Sequence, residues 1–213
     1  RRVSVGELLD EDLFIPSYQR PYSWEPWTAL QLLDDIVTAR RAGESRGGAN
    51  APSETSYVLG TVILHRDPDG HGLNVVDGQQ RLLTLIMILG ILDRGDSPDP
   101  EVDPRHGEDP NAPIVLARRR LAGRVRDMRS DPAQVAQVAL LATFIRNRCE
   151  LIRVETDDAD EAFRVFDSQN YRGKALRPHD LLKAFHLREM RGESDAMKLA
   201  LRITAATLRG TRE

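Results

Sequence analysis

The sequence has a single cysteine, Cys149, and only three of its 30 basic residues are lysines. One cysteine excludes an intramolecular disulfide framework and a cysteine-rich zinc site. No stretch approaches the roughly 18 apolar residues of a membrane helix, and no signal-peptide pattern opens the chain. We therefore expect a cytoplasmic protein without a membrane partner, with Cys149 packed in its core.

The chain also lacks a net positive charge, since its 30 basic residues are outnumbered by 33 acidic ones and the net charge is −3. This excludes a histone-like protein that binds DNA through overall charge, but not local basic sites. The acidic residues are concentrated at 93–109, and most of the arginines are explained by compositional bias. The arginine run at 117–129 usually means a solvated helix face, with contact to a DNA backbone as the alternative.

Hydrophobic spacing predicts an α+β fold, with a small sheet followed by a mostly helical portion. Strands are expected at 57–65, 73–76 and 150–156. The proline-containing segment 14–22 is expected to be extended but not a central strand. Helices are expected at 24–41, 77–94, 114–129, 132–147, 158–168, 178–190 and 194–209.

These elements suggest a division of the chain into three parts that together form one compact unit. Residues 1–94 would form the α+β core, and 95–112 a flexible acidic loop. Residues 113–213 would form the helical portion. A further surface loop is expected at 42–56, which is rich in small and polar residues.

The motif VVDGQQR, which ends at Arg81, carries the strongest local signal. A strand ends at Asp77, Gly78 permits a tight turn, and an apolar helix follows at once. Free N–H groups in a first helical turn attract anions, and Gln79, Gln80 and Arg81 add side-chain donors there. Arg81 is suited to phosphate or developing charge, and Asp77 to Mg²⁺. Asp77 and Gly78 alone are more typical of a structural cap and turn, and it is the two glutamines and the arginine in the first turn of an apolar helix that favour a functional site.

The segment IPSYQRPYSW forms a second motif. An extended backbone places Tyr18 and Arg20 on one side and Gln19 on the other. Tyrosine stacks on bases, and glutamine and arginine bind base edges or phosphates, so these three residues are expected to bind DNA. The neighbouring aromatic residues are expected to anchor the first helix in the core: Phe14, Trp24 and Trp27.

A third motif, FDSQNYRGKALRPHDLLKAF, covers 166–185. A helix is expected to break at Asn170, with Gly173 allowing a left-handed turn. Arg172 and Lys174 would lie on the exposed turn, where they could bind phosphate. Solvated charges on a helix–turn–helix connection are the alternative for Lys174.

In this order, the three motifs resemble the N-terminal domain of the GmrSD-type modification-dependent restriction proteins, over about residues 3 to 190. The family is related in fold to ParB and sulfiredoxin domains, so the resemblance implies a small sheet of that type. It also implies an NTP-hydrolysing domain that gates cleavage of modified foreign DNA in anti-phage defence. One branch, SspE, senses phosphorothioate DNA through an apolar cavity, which the aromatic residues and prolines at 15–27 would suit.

The resemblance assigns roles to matching positions. The nucleotide and Mg²⁺ site, with GTP or ATP, would comprise Asp77, Gly78, Gln79, Gln80 and Arg81. The DNA site would comprise Tyr18, Gln19, Arg20 and Lys174. The third motif would add nucleotide-binding residues: Asn170, Arg172, Gly173 and Lys183, with Asp180 matching the same motif.

The resulting hypothesis is an NTPase that recognises modified double-stranded DNA and licenses a nuclease domain in the full-length protein or a partner. Asp77, Gln79, Gln80 and Arg81 are the expected catalytic residues, with one glutamine orienting water. No HNH-like pattern is present, so these residues alone are not expected to cut DNA. The alternative is a modified-DNA-binding module without hydrolysis, in which DGQQR is a structural pocket.

Overall fold

The computed structural model describes residues 1–16, 19–47, 56–66, 72–94, 109–158, 161 and 199–201. The strands are β1 (Arg2–Ser4), β2 (Leu13–Ile15), β3 (Tyr57–Arg66), β4 (Leu73–Asp77), β5 (Cys149–Thr156) and β6 (Leu199–Leu201). The helices are α1 (Val5–Leu9), α2 (Pro26–Gly47), α3 (Gln79–Arg94), α4 (Pro113–Ser130) and α5 (Val135–Arg148). The predicted α+β class is confirmed.

The strands form one mixed sheet in the order β1-β5-β3-β4-β2-β6. β3 and β4, which were both predicted as strands, pair antiparallel. β5 lies parallel to β3 and antiparallel to β1. The sheet therefore takes central strands from both the 1–94 and the 113–213 portions of the chain.

The core lies between this sheet and the helices, with α3 as its most apolar element. Leu82, Leu83 and Ile88 on α3 are at most 1 % exposed, which confirms the predicted core helix. Burying each such side chain contributes roughly 1.5–3 kcal/mol relative to exposure. Cys149 is fully buried, and burial raises the pKa of its thiol to about 12, so it packs as an unreactive apolar group.

Two predictions were wrong, one about where a loop lies and one about the position of a strand in the sheet. The loop predicted at 42–56 is wrong over 42–47, because α2 continues to Gly47. Good helix formers such as Ala42 outweigh the cost of about 1 kcal/mol for the glycine at 43. The strand within 14–22 is not at an edge, since β2 pairs with β4 on one side and β6 on the other. It ends at Ile15, so no proline nitrogen is needed in its ladder.

The helix predicted at 194–209 is wrong at Leu199–Leu201, which form strand β6 against β2. Backbone hydrogen bonds to an otherwise unpaired strand edge outweigh the helix propensity of leucine and alanine. The helix predicted at 178–190, most of 158–168 and most of the acidic loop lie outside the described residues. In the part of the chain that was searched, no helix is both long and apolar enough to cross a membrane.

Candidate functional site

The junction between β4 and α3 places the DGQQR motif at the end of a central strand. β4 ends at Asp77, α3 begins at Gln79, and Gly78 joins them with φ +92°. A backbone in this left-handed region favours glycine. The Gly78 carbonyl accepts the Leu82 N–H at 3.0 Å and so opens the helix. The first turn of a buried helix thus begins directly beside Asp77, a position that favours an anion.

Asp77 and Arg81 are half-buried charges of opposite sign. Burial raises the pKa of Asp77, while the Gly78 N–H and the Arg81 charge oppose that rise. Burial lowers the pKa of Arg81, and the Asp77 charge opposes that fall. No salt bridge joins the two side chains among the residues that the structure describes. They attract each other without contact, so both retain capacity for a charged ligand.

Arg81 lies against β3. Its Nη1 donates to the Thr61 carbonyl at 2.9 Å, and its guanidinium lies close to Gly60, which has φ +122°. An arginine has five N–H donors, and Thr61 takes one of them. The side chain is therefore fixed by a backbone oxygen rather than by a carboxylate.

The two glutamines of the motif, together with Gln19, form a set of amide contacts that we call the glutamine clamp (Gln19, Gln79 and Gln80). Gln79 is 4 % exposed, and its Nε2 donates to the Arg20 carbonyl at 2.9 Å. Gln19 Nε2 donates in the opposite direction, to the Val76 carbonyl at 2.8 Å. These contacts tie Gln19 and Arg20 of the YQR segment (residues 18–20) to β4 and α3.

Gln80 provides the remaining contacts of the clamp. Its Oε1 accepts the N–H groups of Ser23, at 2.8 Å, and Trp24, at 3.3 Å. Its Nε2 donates to the Pro21 carbonyl at 3.4 Å. Both ends of this amide are thus engaged by residues 21–24, a stretch without helix or strand structure of its own.

Tyr22 anchors the same stretch inside the core. It is 1 % exposed, and its hydroxyl lies 2.9 Å from Thr84 Oγ1. Thr84 donates its one hydroxyl proton to the Gln80 carbonyl at 2.8 Å, so Tyr22 must be the donor to Thr84. Burial raises the pKa of Tyr22 to about 12, although the Thr84 hydrogen bond lowers it. The phenol therefore stays neutral and acts as an anchor.

The structure brings together seven of the predicted site residues: Gln19, Arg20, Asp77, Gly78, Gln79, Gln80 and Arg81. The side chain of Arg20 is exposed beside the clamp. The other predicted site residues lie outside the described residues: Tyr18, Asn170, Arg172, Gly173, Lys174, Asp180 and Lys183.

The aromatic residues near this site divide differently from the prediction. Trp24 packs partly buried against the core, but Trp27 is 64 % exposed, so its predicted core role is wrong. Trp27 occupies the first turn of α2, where its neighbours Pro26 and Thr28 are themselves half-exposed. The fully buried aromatic ring of this region is Tyr22.

Sequence reasoning missed Gly60, Tyr22 and Thr84 as parts of the site. A signal was present for Gly60, because an isolated glycine inside a strand pattern indicates a bulge or a close approach. No group of three or more potential metal ligands occurs in the described part of the chain. Asp77, the predicted Mg²⁺ ligand, therefore has no such group around it among those residues.

The sequence model of a family described as the GmrSD restriction endonuclease, N-terminal domain, matches residues 5–187. The chain belongs to this family. The resemblance drawn from the three motifs is confirmed at this level, and a GmrSD N-terminal domain has a role in a restriction system. A comparison with curated proteins gave no match.

Proposed function

We propose that this GmrSD N-terminal domain hydrolyses a nucleoside triphosphate, GTP or ATP, when it meets modified double-stranded DNA in the cytoplasm. Hydrolysis would license a nuclease region in the full-length protein or a partner. The observation that carries the proposal is the pair of half-buried, non-contacting charges, Asp77 and Arg81, at the start of α3. Keeping such charges apart from each other costs stability, which a charged ligand between them would offset.

The role of each residue in this proposal follows from its position around the start of α3. The α3 N-terminus and Gly78 are suited to bind a phosphate, and Asp77 to bind Mg²⁺, which neutralises phosphate charge when bound. Arg81 would stabilise charge that develops on the transferred phosphoryl group. Asn170, Arg172, Gly173 and Lys183 remain predicted nucleotide ligands.

The glutamine clamp gives Gln79 and Gln80 a second role in this proposal. Their amides hold residues 20–24, so a nucleotide that moves the start of α3 would also move the YQR segment. Tyr18, Gln19, Arg20 and Lys174 remain the predicted DNA-binding residues. For either glutamine to orient the attacking water, its present hydrogen bonds would have to exchange.

The test is phosphate release from GTP and ATP with Mg²⁺, with and without duplex DNA. We expect hydrolysis by the wild type and its loss in Arg81→Ala. A matched control is Gly123→Ala, because a methyl group at Gly123 on α4 meets nothing within 4 Å. Absence of binding and hydrolysis of every NTP would refute the enzymatic part.

The DNA part has its own test, which compares phosphorothioated, hydroxymethylated and plain duplexes with and without NTP. We expect tighter binding of one modified duplex and an effect of nucleotide on that affinity. Equal affinity for all three duplexes would contradict modification sensing.

A second candidate is supported by the clamp itself: a modified-DNA-binding module that does not hydrolyse nucleotide. Both ends of the Gln80 amide are already engaged, as expected if the motif only shapes the YQR segment. This module predicts tight binding of modified duplex that NTP does not alter. It also predicts that Gln80→Ala weakens DNA binding while Arg81→Ala leaves it unchanged.

A further inference from the structure

We propose that Gly60 is a positioning residue that orients the guanidinium of Arg81 to stabilise the charge that develops on the transferred phosphoryl group. This inference rests on the nucleotide function proposed above. Gly60 lies in β3, next to the side chain of Arg81 from the first turn of α3, and belongs to none of the three sequence motifs. Its role follows from the shape of the strand at this point.

β3 has a bulge at Gly60. Val58 pairs with Glu150 and Thr61 with Ile152, so β3 has one more residue than β5 between these two pairs. Gly60 has φ +122°, a conformation that side-chain-bearing residues rarely adopt. Such bulges redirect the strand, and here the next carbonyl, that of Thr61, accepts the hydrogen bond from Arg81.

The space beside Gly60 is filled by the flat face of the guanidinium. A Cβ atom at this position would lie 3.2 Å from Arg81 Cζ, 3.2 Å from Nη2 and 3.3 Å from Nη1. Nearly equal distances to three atoms of one plane place that Cβ above the plane rather than at its edge. The guanidinium therefore stacks face-on against the glycine, and a Cβ atom there would force it to move by a few tenths of an ångström.

Stacking on the face leaves the edge of the guanidinium to bind ligands. The Thr61 carbonyl accepts a hydrogen bond from Nη1, and within the described residues Arg81 donates no other hydrogen bond. Two N–H groups in one plane are what a bidentate contact with phosphate requires. Gly60 thus sets the plane in which Arg81 presents its donors.

Gly78 limits how far this arrangement can shift. A Cβ atom at Gly78 would lie 3.3 Å from the Thr61 carbonyl oxygen. The Thr61 carbonyl therefore lies close to the DGQQR turn as well as to Arg81, so displacing the guanidinium would strain its hydrogen bond to Thr61.

The experiment is a double-mutant cycle with Gly60→Ala and Arg81→Ala, and Gly123→Ala is the control glycine substitution. We expect Gly60→Ala to lower kcat for NTP hydrolysis about 10- to 100-fold, the effect of a misplaced catalytic group. KM should change much less, and Gly123→Ala should match the wild type. In the Arg81→Ala background, Gly60→Ala should reduce kcat no further. Wild-type kcat in folded Gly60→Ala, or an equal further loss in the Arg81→Ala background, overturns the proposal.

A stability measurement separates this inference from the proposed function. The urea midpoint should fall less on Gly60→Ala in the Arg81→Ala background, because the guanidinium no longer crowds the methyl group. If Gly60→Ala lowered the urea midpoint equally in both backgrounds, the positioning role of Gly60 would be overturned even if the wild type hydrolyses NTP. If the wild type hydrolyses no NTP, the proposed function fails, and the urea midpoints alone test whether Gly60 positions Arg81.

Arg81→Lys covers the case in which Gly60→Ala does not fold. Lysine keeps the charge but has no planar face and no fork. We expect its kcat to lie close to that of Arg81→Ala. A kcat near that of the wild type would show that a positive charge alone suffices, and this would overturn the positioning role of Gly60.

Discussion

Arg81 is half-buried and Arg153 is buried, but their hydrogen-bond partners differ. Arg153 on β5 is 5 % exposed and donates to both carboxylate oxygens of Glu11 and to Glu155. Burial alone would lower the pKa of Arg153, but these hydrogen bonds and charges outweigh burial and raise it. Arg81 is bound to one carbonyl, and burial lowers its pKa.

The difference teaches that burial of an arginine does not by itself indicate function. The two carboxylates beside Arg153 complete its hydrogen bonding, so it serves the fold. Arg81 has a carbonyl partner and a distant countercharge, an arrangement that leaves donors for an anion. The predictions below test this contrast between the two arginines.

The largest effect is expected for hydrolysis in Arg81→Ala. Losing a preorganised donor to developing charge should reduce single-turnover phosphate release about 10²–10³-fold. The urea midpoint should change little compared with that of Arg153→Met. Arg66→Ala, which removes an arginine from the far end of β3, is the control and should keep wild-type hydrolysis.

The opposite outcome is expected for Arg153→Met. Methionine leaves Glu11 and Glu155 without their shared cation, so the free energy of unfolding should fall by about 3 kcal/mol in urea denaturation. Arg2→Met is the matched control, because the Arg2 side chain, whose Nη1 lies 3.7 Å from Glu150 Oε2, is 67 % exposed. A loss no larger than the control's would show that the Arg153 cluster is not structural. Hydrolysis by folded Arg153→Met should stay normal.

The pH dependence of stability should reveal the buried Asp77. Its pKa in the folded state is raised by burial above the ordinary 3.8, so the folded state binds more protons between those two values. Stability should therefore decline as the pH rises through that window. Asp77→Asn should lack this decline, so its stability relative to the wild type should increase with pH. Parallel curves from urea midpoints at several pH values would contradict the assignment.

The smallest effect is expected for Arg66→Ala, which removes an exposed partner of Glu155. Arg66 Nε and Glu155 are 2.9 Å apart, but the arginine side chain is 51 % exposed. Water and salt screen such a pair, so the loss should be about 0.2–1 kcal/mol and should shrink in 1 M NaCl. A loss as large as that of Arg153→Met would remove the distinction between exposed and buried members of this cluster.

Elements with strong local patterns could be predicted from the sequence. The mostly apolar sequence of α3 and the β-branched residues of β3 favour a helix and a strand locally, and both predictions were confirmed. β6 could not be predicted, because the leucines at 199 and 201 suit either structure until β2 offers an edge. Exposure of Trp27 likewise depends on how α2 packs.

The candidate site shows the same limit. The turn at Gly78 could be predicted from residue types at the junction. The clamp could not, because Gln80 contacts a segment more than fifty residues away, and amide side chains carry no pattern that names their partners. The bulge at Gly60 depends on pairing with β5, which lies far along the chain.

The pairing of the outer strands has a consequence for how the protein is made. Arg2 in β1 pairs with Ile152, and Leu13 in β2 pairs with Leu201. On the ribosome, the first strands to emerge must wait for partners that are synthesised much later, and such long-range pairing is slow. A shortened gene product that ends after α3 would contain the whole DGQQR motif yet lack β5, the neighbour of β3. Its unpaired strand edges would favour aggregation, so expression trials should keep the chain through residue 201.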